Sequence, residues 1–395
     1  MIIKKIKAWR IRDSRGEPTI EVMVKSDNGK FYASAPSGAS KGKKEVMAFP
    51  KEGVQKSVDF VNKILRKELY GYKINKFDDL NKIEKIIEKY DKTENFSNIG
   101  GNVVVALEYA LLRALAKGQV WSFLNTNAKQ LPRPLGNCIG GGMHVTGGEK
   151  TDFQEFLLLS LNATDIAIAI YANYKIWKLV GKELGKPKKT DEGAWAPNLS
   201  TEKILDILNK VAKKVSEELK FEIKVGIDMA ASHLFNGKQY VYKNKRLSKK
   251  EQIKYVIGLI NKYNLVYVED PLEEDDMKGF AEITKAVKNK CLITGDDLVC
   301  TNPKILKNAI KSKAINALIV KPNQIGSLIK VKEVIELCKK NHINTIISHR
   351  SGETMDTMIS HLAVGFNIPI IKTGIYGKER EIKLIELQNI EKQIK

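Results

Sequence analysis

The 395-residue sequence contains few cysteines, and those it has form no recognisable pair or metal-binding cluster. They are Cys138, Cys291, Cys300 and Cys338, with neither a CxxC spacing nor a Cys/His grouping. Because structural disulfides and zinc sites need such groupings, we expect free thiols in a reducing compartment. The first residues, MIIKKIKAW, lack the long apolar core of a secretory signal. We therefore expect a cytoplasmic protein.

Long hydrophobic runs are also missing. The longest apolar stretch, residues 103–116, contains Glu108 and Arg113, so it predicts a buried helix and not a membrane span. The sequence has no solenoid repeat and no low-complexity linker. Its length leaves room for two domains, one of which could be a barrel.

Negative charge is scarce relative to positive charge. Lysine and arginine number 67 against 46 acidic residues, which gives a formal net charge of +21. Such a balance suits either a surface for nucleic acid or membrane, or a solvated lysine-rich surface. The lysines are spread along nearly every amphipathic stretch, without a dense basic tail or an RNA-reading aromatic motif. We therefore expect no nucleic-acid or membrane partner, although the charge should attract an acidic small-molecule substrate.

Two different patterns divide the chain. The first 36 residues alternate between apolar and polar side chains, with a strong hairpin signal, Asp-Asn-Gly, at 27–29. Helical periodicity then follows over roughly 53–69, 76–90 and 101–117. These features predict an N-terminal α+β domain over residues 1–128. Beyond the prolines at 132 and 134 the pattern becomes strand, loop and helix, which predicts a second domain over residues 129–395.

Six strand-like runs in the second domain each finish on a reactive side chain. In chain order these residues are Asp228, Glu269, Asp296, Lys321, His349 and Lys372. From the second onward they are spaced by roughly 23 to 28 residues, the length of one strand, loop and helix. Reactive groups at successive strand ends are typical of the mouth of a parallel barrel, where barrel enzymes have their active sites. We therefore predict an α/β protein with a C-terminal TIM-like barrel.

The first three of these residues predict a metal site. Asp228, Glu269 and Asp296 offer only acceptor oxygens when ionised. Three converging carboxylates repel one another unless a cation lies between them, and oxygen-only ligands favour Mg²⁺ over zinc or iron.

The remaining three predict proton transfer on an anionic substrate. Lys321 ends an apolar strand, ALIVK, and is either a lysine that reaches to solvent or a base whose pKa is lowered by burial and neighbouring cations. Lys372 is such a neighbour, and it could equally bind a substrate carboxylate. His349 lies beside Arg350, whose guanidinium suits bidentate binding of phosphate or carboxylate.

With these residues in place, the chain resembles the enolase family, the phosphopyruvate hydratases, across essentially its full length. The matching motifs are DSRG at 13–16, SGAS at 37–40, DEG at 191–193, EDP at 269–271, GDDL at 295–298, KPNQIG at 321–326, SHRSGET at 348–354 and KTG at 372–374. The KPNQIG and SHRSGET motifs together are highly specific.

The resemblance implies a barrel that begins irregularly, as ββαα(βα)6. It also implies reversible dehydration of 2-phosphoglycerate to phosphoenolpyruvate, with two Mg²⁺ per active site, in a homodimer or larger homo-oligomer. Two alternatives stay open: a relative that abstracts an α-proton from another carboxylate, and a non-catalytic binding protein.

The resemblance further implies three sets of site residues. The catalytic set is Lys321, Glu192, Glu155 and His349. The substrate-binding set is His144, Gln154, Arg350, Ser351, Lys372 and Ser40. The metal set is Asp228, Glu269, Asp296 and Ser40. In this scheme Lys321 removes the proton, and Glu192, helped by Glu155, protonates the departing hydroxyl.

Two segments depart from the family pattern without removing a catalytic group. Thr190 and Ala194 stand where the family has glycines on either side of Asp-Glu-Gly, so we expect altered backbone freedom around Glu192. In the first active-site lid, Lys41 replaces the usual threonine and two further lysines follow at 43 and 44. We expect these changes to affect lid closure.

Overall fold

The computed structural model of the protein describes residues 1–39, 42–145 and 150–395. The chain opens with an antiparallel meander of the strands β1 (Ile3–Arg12), β2 (Pro18–Ser26) and β3 (Gly29–Ser34). The predicted hairpin joins β2 to β3. Gly29 has a φ of 124°, a conformation that glycine adopts without steric cost.

Helices cover one side of this meander, close to the predicted ranges. They are α1 (Val54–Asp59), a π-helical turn (Phe60–Leu65), α2 (Arg66–Glu68), α3 (Leu80–Ile87), α4 (Gly101–Leu115) and α5 (Val120–Leu124). The longest apolar stretch of the sequence forms α4, which packs against β2 and β3 and is buried almost all round. Within the described ranges, none of the helices has both the length and the apolar composition needed to cross a bilayer.

The second part of the chain is built on a barrel. In chain order its strands are β4 (Arg133–Gly140), β5 (Glu155–Ser160), β6 (Ile223–Asp228), β7 (Tyr240–Val241), β8 (Arg246–Leu247), β9 (Tyr267–Glu269), β10 (Leu292–Gly295), β11 (Ala317–Val320), β12 (Asn344–Ser348) and β13 (Ile370–Gly374). In the part of the chain that the structure describes, eight of them close in the order β10-β11-β12-β13-β4-β5-β6-β9. Strand β5 runs antiparallel to both of its neighbours, and the other barrel pairs are parallel.

Helices surround the barrel. They are α6 (Ile166–Glu183), α7 (Thr201–Leu219), α8 (Lys249–Tyr263), α9 (Met277–Val287), α10 (Pro303–Lys311), α11 (Pro322–Ile325), α12 (Leu328–Lys340), α13 (Met358–Gly365) and α14 (Lys378–Ile394). Ser248 and Glu251 form a capping box at the start of α8. The order of barrel strands and outer helices in the described chain is ββαα followed by six βα units, which confirms the predicted fold.

The alternation of side chains along each barrel strand positions the reactive groups. Residues two apart share a face of a strand, and the barrel interior is filled by an apolar layer that includes Ile319. Lys321 follows two residues later and lies above that layer. The same step of two separates Tyr267 from Glu269, Leu157 from Glu155 and Ile370 from Lys372. The apolar layer therefore forms a floor, and the reactive groups face inward at the mouth.

Candidate active site

A small cavity at the carboxyl ends of the parallel strands brings the predicted site residues together. Its walls include His144, Gln154, Glu155, Glu192, Asp228, Asp296, Lys321, His349, Arg350, Ser351 and Lys372. Its volume of about 30 Å³ holds one or a few waters. Glu269 is fully buried beside it. Ser40 lies outside the described residues, so its two assigned roles stay predictions.

Carboxylates and lysine ammonium groups alternate on one side of this cavity, which we call the base side: Asp228, Glu269, Asp296 and Lys321. Lys372 Nζ lies 3.0 Å from Asp228 Oδ2 and 2.6 Å from Glu269 Oε2. The Lys321 ammonium pairs with Asp296. The sequence suggested that Lys372 ends its strand. Strand β13 instead extends to Gly374, so Lys372 lies in the middle of the strand. The two lysines balance the buried negative charge.

The carboxylates of the base side suit a hard divalent cation. Glu269 Oε1 is buried and has no hydrogen-bond partner among the described residues, while Tyr267 donates to the other oxygen at 2.5 Å. Two sets of three groups have ligand atoms within 4.8 Å of one another: Asp270, Asp296 and Asp297, and His144, Glu155 and Glu192. Asp296 is the member of the predicted metal set that these groups include, whereas Asp228 and Glu269 belong to neither. Acidic groups able to hold a metal ion are therefore present, and a carboxylate-oxygen donor set fits Mg²⁺.

Burial and mutual repulsion separate the pKa values of these carboxyls. Burial, reinforced by Asp228, raises the pKa of Glu269 to about 8. Burial also acts to raise the pKa of Asp296, but the adjacent Lys321 ammonium outweighs it and the net shift is downward. At neutral pH, Asp296 is thus ionised while Glu269 largely retains a proton.

The lowered pKa predicted for Lys321 is wrong for this arrangement. Burial is the largest effect on this pKa and, with Arg350 and Lys372, acts to lower it as expected, but the Asp296 and Glu269 carboxylates act to raise it and the net shift is upward. The sequence indicated the neighbouring cations but not that Asp296 would pair directly with this lysine. Lys321 can become a neutral base only after that ion pair opens.

The opposite side of the cavity, which we call the acid side, consists of His144, Glu155, Glu192 and His349. Glu155 is the first residue of β5, and because that strand is antiparallel, its start lies at the mouth. His144 Nδ1 lies 3.8 Å from Glu155 Oε1 and 3.6 Å from Glu192 Oε2. His349 Nε2 lies 3.6 Å from the same Glu192 oxygen, and Asn137 Nδ2 donates to it at 3.1 Å.

The pKa values of the two glutamates of the acid side are shifted in opposite directions. Burial raises the pKa of Glu155 well above its ordinary value, against the opposing effect of Lys372. Burial also acts to raise the pKa of Glu192. Opposing effects, of which the electrostatic interaction with His144 is the largest and a hydrogen bond from Glu155 is another, hold this pKa well below its ordinary value. Burial lowers the pKa of His349. The opposite shifts make Glu155 the stronger proton holder of the pair and Glu192 the weaker one.

The predicted anion-binding residues lie under the first lid. Arg350 Nη1 and Nη2 lie 3.0 Å from the carboxylate of Glu45, and Nη1 also lies 3.0 Å from Asn323 Oδ1. Ser351 Oγ accepts a hydrogen bond from the Ala39 amide at 2.6 Å. An incoming phosphate must therefore compete with Glu45 for the guanidinium.

Three residues of the site were not singled out from the sequence. Asn137 lies two positions after Leu135 on the inward face of β4, so strand alternation could have identified it. Glu45 follows the lid motif, but nothing in its spacing indicated a contact with residue 350. Burial and the neighbouring Asp296 raise the pKa of Asp297 to about 7. The only sequence signal for Asp297 was that it directly follows Asp296.

Comparison with known proteins assigns the family. Residues 3–124 match the model "Enolase, N-terminal domain" and residues 128–395 match "Enolase, C-terminal TIM barrel domain". The enolase of Methanothermobacter thermautotrophicus is 42% identical over 407 residues, which cover 100% of this chain and 97% of that protein. The enolases of Archaeoglobus fulgidus, 40% identical over 99% of this chain and 97% of that protein, and of Picrophilus torridus, 38% identical over 99% of each, are similar along the same length. The chain therefore belongs to the enolase family.

Proposed function

We propose that this chain catalyses the magnesium-dependent, reversible dehydration of 2-phosphoglycerate to phosphoenolpyruvate and water, a step of glycolysis and gluconeogenesis. The observation that carries the proposal is the placement of Lys321 and the Glu155–Glu192 pair around one cavity. Lys321 follows β11 and Glu155 begins β5, and these strands are diametrically opposed in the closed barrel. A base and an acid on opposite sides of a bound substrate are what an elimination requires.

The base side is proposed to hold the metal. Asp228, Glu269 and Asp296 would bind one Mg²⁺, and Ser40 would help to hold a second. When bound, magnesium would neutralise the substrate carboxylate and stabilise the dianion formed by loss of the neighbouring proton. The orphaned, buried oxygen of Glu269 supports this assignment.

Lys321 is proposed to remove the proton from C2 of the substrate. Such a proton is very weakly acidic, because its loss places a second negative charge on the carboxylate. Once the pair with Asp296 opens, the nearby charges of Arg350 and Lys372 favour the neutral amine.

The acid side is proposed to release the hydroxyl group. The proton held by Glu155 passes to Glu192, which donates it to the departing hydroxyl so that water leaves and the C2–C3 double bond forms. His144 and His349 would orient Glu192. Gln154 would line the substrate wall, and its Oε1 is buried without a hydrogen-bond partner in the described ranges.

The substrate phosphate is proposed to bind Arg350 and Ser351, with Lys372 completing the pocket and Ser40 closing over it. The phosphate would replace Glu45 on the guanidinium of Arg350. We also propose that the two domains divide between residues 128 and 129. Assembly as a homodimer or larger homo-oligomer, and a cytoplasmic location, stay predictions.

The direct test is to add 2-phosphoglycerate to purified, magnesium-loaded protein and follow the ultraviolet absorbance of phosphoenolpyruvate. We expect this absorbance to increase with time, and we expect chelation of the metal to abolish the increase. A folded, magnesium-loaded protein that produces no signal in either direction of the reaction would defeat the proposal. Slow solvent deuterium exchange with poor turnover would instead favour a relative acting on another carboxylate.

A further inference from the structure

The segment 188–196, which we call the acid hairpin, carries Glu192 and is held by a side chain that departs from the family pattern. The Thr190 amide donates to the Ala194 carbonyl at 2.8 Å, and the Gly193 amide donates to the Thr190 carbonyl at 3.0 Å. In addition, Thr190 Oγ1 accepts hydrogen bonds from the amides of Glu192 and Ala194, both at 3.3 Å. A glycine at position 190 could make neither of these side-chain bonds.

A stack of aromatic rings supports the acid hairpin from outside. The Trp177 ring, on α6, stacks on Trp195 at a centroid distance of 4.6 Å and on Tyr376 at 4.8 Å. Trp177 Nε1 donates to the Gly193 carbonyl at 3.1 Å, and Trp195 Nε1 donates to the Trp177 carbonyl at 2.8 Å. Each indole is thus fixed both by stacking and by a directed hydrogen bond.

The backbone on the far side of the turn leaves the acid hairpin no room to shift. Gly193 has a φ of 80°, and a Cβ at this position would collide with the Tyr376 carbonyl oxygen. A Cβ at Gly374, on β13, would likewise meet the Glu192 carbonyl oxygen. The peptide groups of Glu192 are therefore enclosed by β13, the Tyr376 loop and the indole of Trp177.

We propose that Thr190 and Trp177 are positioning residues for the acid half of the reaction, an inference that rests on the proposed function. They fix the backbone of Glu192, so that its carboxyl stays aligned on the departing hydroxyl. Neither contacts Lys321, which follows β11 on the opposite side of the barrel. Loss of either support should impair departure of the hydroxyl and spare removal of the C2 proton.

The two half-reactions can be measured separately. In the first, the C2–H bond breaks, its proton moves to the Lys321 amine and its electron pair moves onto the substrate carboxylate. In the second, the C3–O bond breaks and its electron pair leaves with the oxygen, the Glu192 proton joins the departing hydroxyl to form water, and the pair held on the carboxylate returns to form the C2–C3 double bond. In D₂O, deuterium incorporation at C2 of recovered 2-phosphoglycerate reports the first, and phosphoenolpyruvate formation reports the second.

The test compares Thr190→Val and Trp177→Phe with the wild type in both assays. Because each variant loses hydrogen bonds to the acid hairpin, we expect phosphoenolpyruvate formation to fall about five- to tenfold. Deuterium exchange should change by less than about twofold, so the ratio of exchange to dehydration rises. Thr190→Ser, which keeps the hydroxyl, should restore the wild-type ratio.

Two further variants control for general destabilisation. Thr284→Val removes a hydroxyl on the outer helix α9 that donates to the Ala314 carbonyl at 2.7 Å, and neither residue lines the cavity. Trp121→Phe alters a buried indole whose Nε1 has no partner within the described residues. Both should keep the wild-type ratio, whatever their effect on thermal stability.

The outcomes separate this inference from the function beneath it. Suppose that the wild type catalyses both half-reactions. If the Thr190 and Trp177 variants then lose exchange and dehydration in parallel, or lose neither, the positioning role is refuted and the proposed function stands. If the folded wild type neither exchanges nor dehydrates 2-phosphoglycerate, both fall together. Failure of Thr190→Ser to restore the ratio would also refute the role of the hydroxyl.

Discussion

The base side and the acid side of the cavity are built in different ways. On the base side, Glu269, Asp296 and Lys321 come from consecutive parallel strands, β9 to β11, each at or just beyond the strand end. On the acid side, Glu155 begins an antiparallel strand and Glu192 lies in a hairpin between helices α6 and α7. The regular side places its groups by repetition of one unit, whereas the irregular side needs dedicated hydrogen bonds to hold each group.

The largest expected effect is on the base side. Lys321→Ala should lower kcat for dehydration by about 10³- to 10⁴-fold, because it removes the proposed general base. It should also abolish deuterium incorporation at C2. Lys307→Ala, which removes an exposed lysine 3.1 Å from Glu333, is the matched control and should retain full activity. Persistent exchange in Lys321→Ala would show that another group removes the proton.

The matching change on the acid side should split the two half-reactions. We expect Glu192→Gln to lower phosphoenolpyruvate formation by about 10²- to 10³-fold, because the amide cannot donate the proton that Glu155 passes on. Proton removal by Lys321 does not need this group, so exchange at C2 should persist within a few-fold of the wild type. Equal loss of exchange and dehydration would mean that the two sides do not act independently.

The same contrast explains what could be predicted from the sequence. Strand ends one βα unit apart identified Glu269, Asp296, Lys321 and His349 from spacing, because parallel strands direct their carboxyl ends to one edge. The meander followed from alternation and turn chemistry, and the barrel followed from the repeated strand, loop and helix.

On the acid side, His349 just beyond the end of β12 could be reached by this reasoning, but the two glutamates could not. Spacing carries no information about a strand that reverses direction, so Glu155 at the start of β5 was identified only by family resemblance, as was Glu192. The pairing of Lys321 with Asp296, and of Arg350 with Glu45, depends on side-chain conformation in a buried and charged space. Such pairings are set by the balance of desolvation and attraction, which the order of residues does not specify.

A third prediction concerns protons at the metal site. The pKa of Glu269 is raised to about 8, so below that pH a cation must displace a proton from this carboxyl. Magnesium affinity without substrate should therefore rise by up to about tenfold per pH unit from about pH 6.5 and level off above about pH 8. The pKa of Asp296 is lowered, so this carboxyl adds no pH dependence to magnesium affinity between about pH 6.5 and 8.

Calorimetric magnesium titrations in two buffers of different ionisation enthalpy would measure both the affinity and the protons released. Glu269→Gln should bind magnesium more weakly and lose this pH slope. Affinity that is constant between about pH 6.5 and 8 in the wild type would show that Glu269 carries no proton there, and would remove the proposed asymmetry between the carboxylates of the base side.

The smallest expected effect concerns two lysines of the lid, which pair with the loop after β9. Lys43 Nζ lies 3.2 Å from Glu274 Oε1, and Lys44 Nζ lies 2.8 Å from Asp275 Oδ1, in the loop after β9. Because ion pairs with exposed partners are weak, Lys43→Ala should raise KM by less than about fivefold. The difference from the wild type should shrink at high salt, which screens such pairs.

The lid prediction sharpens the comparison, because it separates closure from acid catalysis. Lys43→Ala should leave the ratio of C2 exchange to dehydration unchanged, since both half-reactions follow the same closure, whereas Thr190→Val should change the ratio at constant KM. Lys304→Ala, which removes an exposed lysine 3.4 Å from Glu94, is the surface-charge control and should leave KM unaltered. A changed ratio in Lys43→Ala would mean that the lid also orients the acid side, and the two sides would then be coupled through closure.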